Sequence, residues 1–373
     1  MWHSNWAKYK EDNKLIKINE ESRKPVENAR RAKLKAEKPL VYEKIIKYDE
    51  KVARGECTAI IDFCFDYKCN MHCEHCCNLS FEKREREMTL EDLKDFARQA
   101  DDLGLAQFNI SGGEPLAFDN LDDIIAALDP QKFHIAISSN GLLLTEEKAK
   151  HLKEVGVDKI RISLDSFDEE KYKQTRGQNG AYDKAIQALF YAKEAGMQTG
   201  INTVISHQSC QTPETEALAK FANDNGFNLD ILIARAIGAW EGKEEVLITK
   251  QDDDYLKELR NKYPALMRDT YPSYGQDRGC GTVRHILHLT KYGDILPCAF
   301  IHISIGNIFE EPLKDIIERG LRIKWFNEYQ PLCLSGEHKN FIRNYMSKFY
   351  GKPLPISYKE AFTAEDFIDG VVR

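Results

Sequence analysis

Residues 58–77, TAIIDFCFDYKCNMHCEHCC, join an apolar run to a loop that holds four cysteines in nine positions. The β-branched and aromatic residues of TAIIDFCF read as a strand, which delivers the chain directly to Cys69, Cys73, Cys76 and Cys77. Clustered thiols mean disulfides, zinc or an iron–sulfur cluster. Disulfide frameworks belong to small secreted chains without a sufficient core. This chain has 373 residues, opens MWHSNWAKYKEDNK with no apolar signal region, and contains no apolar run near the roughly 18 residues that span a bilayer. A reducing, cytoplasmic setting is the expectation, in which such cysteines bind metal or do chemistry. Zinc sites usually combine two separated ligand pairs, whereas Cys69, Cys73 and Cys76 share one loop and no second CxxC follows. Three thiolates on one loop suit three corners of a 4Fe–4S cube. Clusters normally take four cysteines, so the fourth iron is left for another ligand. Cys77 adjoins a ligand and is expected to point away. On these residues alone, zinc stays open beside the cluster.

Outward from the loop, composition is that of a globular chain: 42% hydrophobic, 30% charged, net charge −7. The negative balance argues against nucleic-acid and anionic-membrane partners. Residues 1–56 run the other way, with 15 Lys and Arg against 10 Asp and Glu, or +5, leaving −12 elsewhere. They read as a charged helical extension, either lying loosely on the body or docking an acidic partner. From residue 57, short apolar runs alternate with amphipathic stretches. After the first strand come the helix MTLEDLKDFARQADDLG, with a Thr89/Asp92 capping box and a stop at Gly104, and the strand AQFNIS. NLDDIIAALD then HIAISS, TEEKAKHLKEVG then KIRISL, AYDKAIQALFYAKEAG then QTGINTVI, and TPETEALAKFANDNG then NLDILIARAI complete six β/α units. This is an α/β chain with a parallel sheet and crossover helices.

The triplet at this spacing resembles the signature of the radical S-adenosylmethionine (SAM) enzymes. The resemblance implies a partial (β/α)6 TIM-type barrel with its reactive groups at the C-terminal ends of the strands. It also implies a 4Fe–4S cluster on Cys69, Cys73 and Cys76 whose open iron holds SAM, and reductive cleavage of SAM to a 5′-deoxyadenosyl radical. FNISGGEP (108–115) allows an ordinary tight turn, but one β/α unit after the triplet it is similar to the family's GGE segment. Gly112, Gly113 and Glu114 are thereby implied at the methionine amino group. A β-branched residue at Gly113 is then expected to block SAM while sparing the cluster. Ser139, Asn140 and Ser163 at strand ends are either helix caps or, by the resemblance, SAM neighbours. Arg176 resembles an arginine that pairs with the SAM carboxylate, and Arg235 is a second candidate for that zone.

Beyond the barrel, LHLTKYGDILPC reads as a hairpin turning at Gly293-Asp294 and leading to a helix at IGNIFEEPLKDIIE. With Cys280, Cys298 and Cys333 this resembles the SPASM/Twitch domains, small α+β units that hold auxiliary 4Fe–4S clusters. The resulting partition is a helical extension over 1–56, a barrel over 57–240, an auxiliary-cluster domain over 241–335 and a helical tail over 336–373. Twitch domains usually supply four cysteines and this chain supplies three. The cluster is therefore completed by a non-cysteine group (His302, Glu337 and His338 are nearest in sequence), left open for substrate, or never assembled.

The function expected is that of a radical SAM oxidoreductase or maturase removing a hydrogen atom from a small polar metabolite or natural-product precursor. The auxiliary cluster would assist the oxidation, and a reducing donor such as flavodoxin or ferredoxin would supply electrons. Maturation of a ribosomally made peptide is the alternative, and a non-catalytic iron–sulfur or zinc protein the rival of another class. No nucleic-acid or membrane partner is expected.

Overall fold

The computed structural model describes residues 16–78, 81–178, 180–272 and 277–368; the opening MWHSNWAKYKEDNK lies outside them. Strands β1 (Ile60–Cys64), β2 (Gln107–Ser111), β3 (His134–Ser139), β4 (Val157–Ser163), β5 (Gln198–Ile205) and β6 (Asn228–Ile233) run parallel in that order. The sheet continues at both edges. Beyond β6 lies β7 (Leu266–Arg268), also parallel. On the other side β8 (Ile286–Leu289) pairs parallel with β1, and β9 (Asp294–Leu296) folds back on β8. A separate two-stranded sheet joins β10 (Ile303–Ser304) to β12 (Ile356–Ser357), while β11 (Gly306–Asn307) pairs with β9. The cysteine hairpin is thus not a detached unit: it extends the barrel sheet, which stays open between β7 and β11.

Period-two alternation sorts each strand's two faces. Ile61, Phe63, Phe108, Ile110, Ile135, Ile137, Ile160 and Ile162 are wholly buried. Phe108 meets Phe63, Phe96 and Phe133 edge-on or tilted, at centroid distances of 6.1, 6.2 and 4.6 Å. Phe96 belongs to the helix Leu90–Asp102, so this face is the helix-packed one. Each such side chain contributes about 1.5–3 kcal/mol on burial. The Thr89/Asp92 capping box forms as the sequence indicates, and Gly104 ends the turn with φ of 65°.

The basic extension finds its acceptors on the barrel itself. Lys33 donates to the Gly196 carbonyl, Lys38 to that of Gly156 and Lys51 to that of Leu103, at 3.0, 3.0 and 2.6 Å. Each carbonyl closes a barrel helix, where the helix dipole favours a cation. Arg23 and Arg30 reach Asn228 Oδ1 at the start of β6. Its described part, residues 16–56, therefore spans the N-terminal end of the barrel, opposite the reactive rim, and is not loosely packed. Lys38 also pairs with Asp158 at 2.5 Å, both side chains about 10% exposed. Lys38→Met is expected to cost about 3 kcal/mol, because an uncompensated buried charge is worth more than the pair itself. A shift of the urea midpoint at constant m-value measures it.

Two expectations need correction. Asp294 belongs to β9 and not to the turn, which is formed by Lys291, Tyr292 and Gly293. The tail beyond 336 is not simply helical: after the short helix Lys339–Asn344 it supplies β12 to the small two-stranded sheet, and Glu82 N donates to the Leu354 carbonyl at 3.1 Å. Its last residues, 369–373, lie outside those described.

Candidate active site

The cysteine loop leaves β1 and is held on three sides by backbone. Gly113 N donates to the Asp66 carbonyl and Glu114 N to that of Lys68, at 2.9 and 2.8 Å; Asn78 Nδ2 reaches the Gly112 carbonyl at 2.7 Å. Glu74 N donates to the Thr175 carbonyl at 3.1 Å, which ties the loop to the helix Glu169–Arg176. A Cβ on Gly113 would sit 2.0 Å from the Lys68 carbonyl oxygen, one on Gly112 2.5 Å from Cys64 Sγ, and one on Gly238 2.3 Å from the Cys76 carbonyl oxygen. These glycines are required by the loop. This corrects the expectation that a side chain at Gly113 would meet SAM and spare the cluster.

Cys69, Cys73 and Cys76 remain partly or fully exposed and within range of one another's charge; burial, the largest influence, raises each thiol. Among the described residues no three His, Cys, Asp or Glu side chains grip a single ion. The three thiols are spaced around a loop, an arrangement that fits a multi-iron cube. Cys77 differs: its thiol donates to Asn78 Oδ1 at 3.7 Å, and burial pushes it up, with Cys76 and Asp62 adding to that.

Glu114 is 1% exposed and knits the rim together. It accepts from Ser139 Oγ, from Asn140 N and from Leu116 N at 2.7, 2.7 and 3.0 Å. Burial pushes its carboxyl up, and these donors only partly offset that. Asn140 Nδ2 continues to Asn70 Oδ1 in the cysteine loop at 2.7 Å. Ser163 ends β4 half-buried, its carbonyl taking the Tyr172 hydroxyl at 3.1 Å. Arg176 is 7% exposed; Nε donates to Asp165 Oδ2 at 2.7 Å and Nη1 reaches Cys73 Sγ at 3.8 Å. Burial opposes ionisation of Asp165, but Arg176 outweighs it and holds the carboxyl below its usual range. Gly112, Gly113, Glu114, Ser139, Asn140, Ser163 and Arg176 therefore all border the cysteine loop or the strand ends around it. Arg176→Gln is expected to leave Asp165 buried without its cation, lowering Tm by several degrees for about 2–3 kcal/mol; thermal unfolding by circular dichroism checks it.

Sequence reasoning passed over the barrel lumen. Asp62 takes Asn109 Nδ2, Ser111 Oγ and His288 Nδ1, the last at 2.8 Å. Arg161 reaches over β3 to Asn109 Oδ1 at 3.2 Å and over β5 to Asp230 Oδ2 at 2.7 Å. Lys159 adds a second cation on Asp230 at 3.2 Å. Burial opposes the Asp230 charge, yet these two cations hold it well below the carboxylate range; burial in turn brings Lys159 down to about 8. The available signal was one polar residue every second position in otherwise apolar strands, as in IIDFC, QFNIS and VDKIRIS.

The second cysteine set converges although its members lie far apart in sequence. Cys280 hydrogen-bonds the Cys333 sulfur, which, with Arg235, draws Cys333 below the usual thiol range and pushes Cys280 up; Cys298 lies within reach of the charge of both. Three thiols gathered from distant parts of the chain suit an auxiliary cluster. Arg235 belongs here and not beside Arg176: Nη2 is 3.9 Å from Cys333 Sγ, and the guanidinium stacks 3.8 Å over Phe300. Of the proposed completing groups, His338 is turned away, accepting from Phe341 N at 3.3 Å with its ring 4.9 Å from Trp325. Glu337 is committed to Arg268 and to Cys333 N.

Residues 65–221 match the radical SAM superfamily, and residues 280–336 match SPASM, an iron–sulfur cluster-binding domain. A probable GTP 3′,8-cyclase of Methanosarcina acetivorans is 26% identical over 276 residues, covering 69% of this chain and 82% of the relative. The PqqA peptide cyclase of Streptomyces rochei is 26% identical over 269 residues, covering 67% and 72%. Streptococcus suis SuiB bound to precursor peptide SuiA superposes with a TM-score of 0.56 at 18% identity, over 74% of this chain and 69% of SuiB. It has also been solved bound to S-adenosylmethionine. Among the described residues no helix is long and apolar enough to cross a membrane.

Proposed function

This chain belongs to the radical SAM superfamily and carries a SPASM iron–sulfur domain, and from that premise we propose that it removes a hydrogen atom from a small polar metabolite seated on the charged floor of the barrel. The family brings a 4Fe–4S cluster with SAM, and the SPASM domain brings auxiliary iron–sulfur chemistry. When bound, the first supplies a 5′-deoxyadenosyl radical. Cys69, Cys73 and Cys76 are the residues that would hold that cluster, and the rim of Glu114, Ser139, Asn140, Ser163 and Arg176 would orient SAM. Cys280, Cys298 and Cys333 would hold the auxiliary one. A low-potential donor such as flavodoxin or ferredoxin would deliver the electrons.

The observation that carries the substrate reading is the lumen. Asp62, Asn109, Lys159, Arg161, Asp230 and His288 line it with fixed donors and acceptors in place of the apolar filling of an ordinary barrel core. Such a surface matches a compact substrate rich in hydroxyl, amine or acidic groups, and burial strengthens each contact. Holding one substrate hydrogen against the radical carbon is then a matter of orientation and exclusion of water. The names of the relatives support both substrate classes: the GTP cyclase a small molecule, the PqqA cyclase and SuiB a peptide.

The test offers reconstituted protein, SAM and dithionite either a low-molecular-mass metabolite extract or a peptide fraction from the same cells. 5′-Deoxyadenosine is expected to rise above the uncoupled baseline with the metabolite extract. A rise with the peptide fraction alone would overturn the small-molecule reading and leave the peptide one.

A further inference from the structure

The charged side chains of the lumen floor are Asp62, Lys159, Arg161 and Asp230. Strand register sets their depth. Asp62, Asn109 and Arg161 each stand two residues before the last residue of β1, β2 and β4, one inward step below the rim, and Lys159 lies a further step down β4. Their charges do not cancel locally. Asp230 Oδ2 takes both Arg161 Nε and Lys159 Nζ, at 2.7 and 3.2 Å, so this side keeps one unbalanced positive charge.

Across the lumen Asp62 is met by neutral donors alone: Asn109 Nδ2, Ser111 Oγ at 3.2 Å and His288 Nδ1 at 2.8 Å. His288 is 2% exposed, and its Nε2 is buried without a partner among the described residues. The ring therefore carries its single proton on Nδ1, facing the carboxylate, and adds no charge. This side keeps one unbalanced negative charge. Asn109 stands between the two, its donor end on Asp62 and its acceptor end on Arg161 Nη1 at 3.2 Å. One neutral amide holds the poles apart.

Both poles have capacity to spare. The Asp62 side chain is 13% exposed and that of Arg161 23%. Asp62 Oδ1 accepts only from Asn109, which leaves it a lone pair, and Arg161 Nη2 makes no hydrogen bond with a described residue. An enclosed substrate with one sign of charge, or none, would strip water from a pole without replacing it, which is costly. A molecule with an ammonium and a carboxylate a few bonds apart compensates both. Resting on the small-molecule reading above, we propose that the lumen binds a compact zwitterion, its ammonium on Asp62 and its carboxylate on Arg161. SAM, assigned to the rim one step nearer the mouth, does not use these poles.

The experiment gives the reconstituted full chain SAM, dithionite and the low-molecular-mass extract, split by ion exchange into cationic, anionic, neutral and amphoteric pools. 5′-Deoxyadenosine is expected to rise above the extract-free baseline with the amphoteric pool alone. A rise with the neutral, anionic or cationic pool alone would overturn the zwitterion and leave the small-molecule reading standing; a rise with the peptide fraction alone would remove both. This part needs only the parent protein, so it decides even where a variant does not fold. With the amphoteric pool, Asp62→Asn and Arg161→Gln are each expected to raise the amount needed for half-maximal stimulation at least about tenfold, and Arg161→Lys to recover part of that loss. Equilibrium dialysis of SAM tells the two ligands apart. Half-maximal stimulation unchanged in both variants, or SAM binding weakened in step with stimulation, would overturn the assignment.

Discussion

Alanine in place of Cys69, Cys73 or Cys76 is expected to abolish 5′-deoxyadenosine formation and to lower reconstituted iron from about eight to about four per chain. Each substitution removes one of three ligands on a loop that has no spare. Cys77→Ala is the internal control. Its thiol donates to Asn78 Oδ1 and is not one of the three, so iron and SAM cleavage should stay near the parent level. Iron counts and product chromatography on the four proteins decide the matter, and a Cys77→Ala protein that lost iron while Cys76→Ala kept it would show the register to be wrong.

Gly113→Val should be almost as damaging, by another route. The added Cβ would lie 2.0 Å from the Lys68 carbonyl oxygen and 2.7 Å from the Tyr67 carbonyl carbon. These are backbone atoms at the root of the cysteine loop, and they cannot swing aside as the end of a flexible side chain would. The loop must shift, so iron content should fall together with SAM cleavage, toward about four irons and no detectable 5′-deoxyadenosine. Normal iron with SAM binding alone lost, read by equilibrium dialysis, would return the glycine to direct ligand contact.

Both predictions begin in features legible without coordinates. The six β/α units, the Thr89/Asp92 capping box and the loop of Cys69, Cys73 and Cys76 are local patterns, set by residue order within a few turns of chain. Local spacing likewise singled out Gly112 and Gly113. Their reason was not local: it lies in the carbonyls of residues 66–68, more than forty positions earlier, which only the β1–β2 pairing brings alongside.

What the sequence by itself determined is therefore the barrel's strand order, the cysteine loop and the presence of a second set of thiols. The tertiary structure alone decided who meets whom. It turned the +5 extension into a brace on helix C-termini, since cations distributed along a helix do not declare which carbonyls they will face. It moved Arg235 from the SAM rim to Cys333, because the side chain's direction depends on how the chain leaves β6. It brought Asp62 and His288 together across 226 positions, and set Arg161 on Asp230 two strands away. Strand and helix periodicity is written in neighbouring residues; contacts across a curved sheet follow from register and closure, which depend on the whole chain at once.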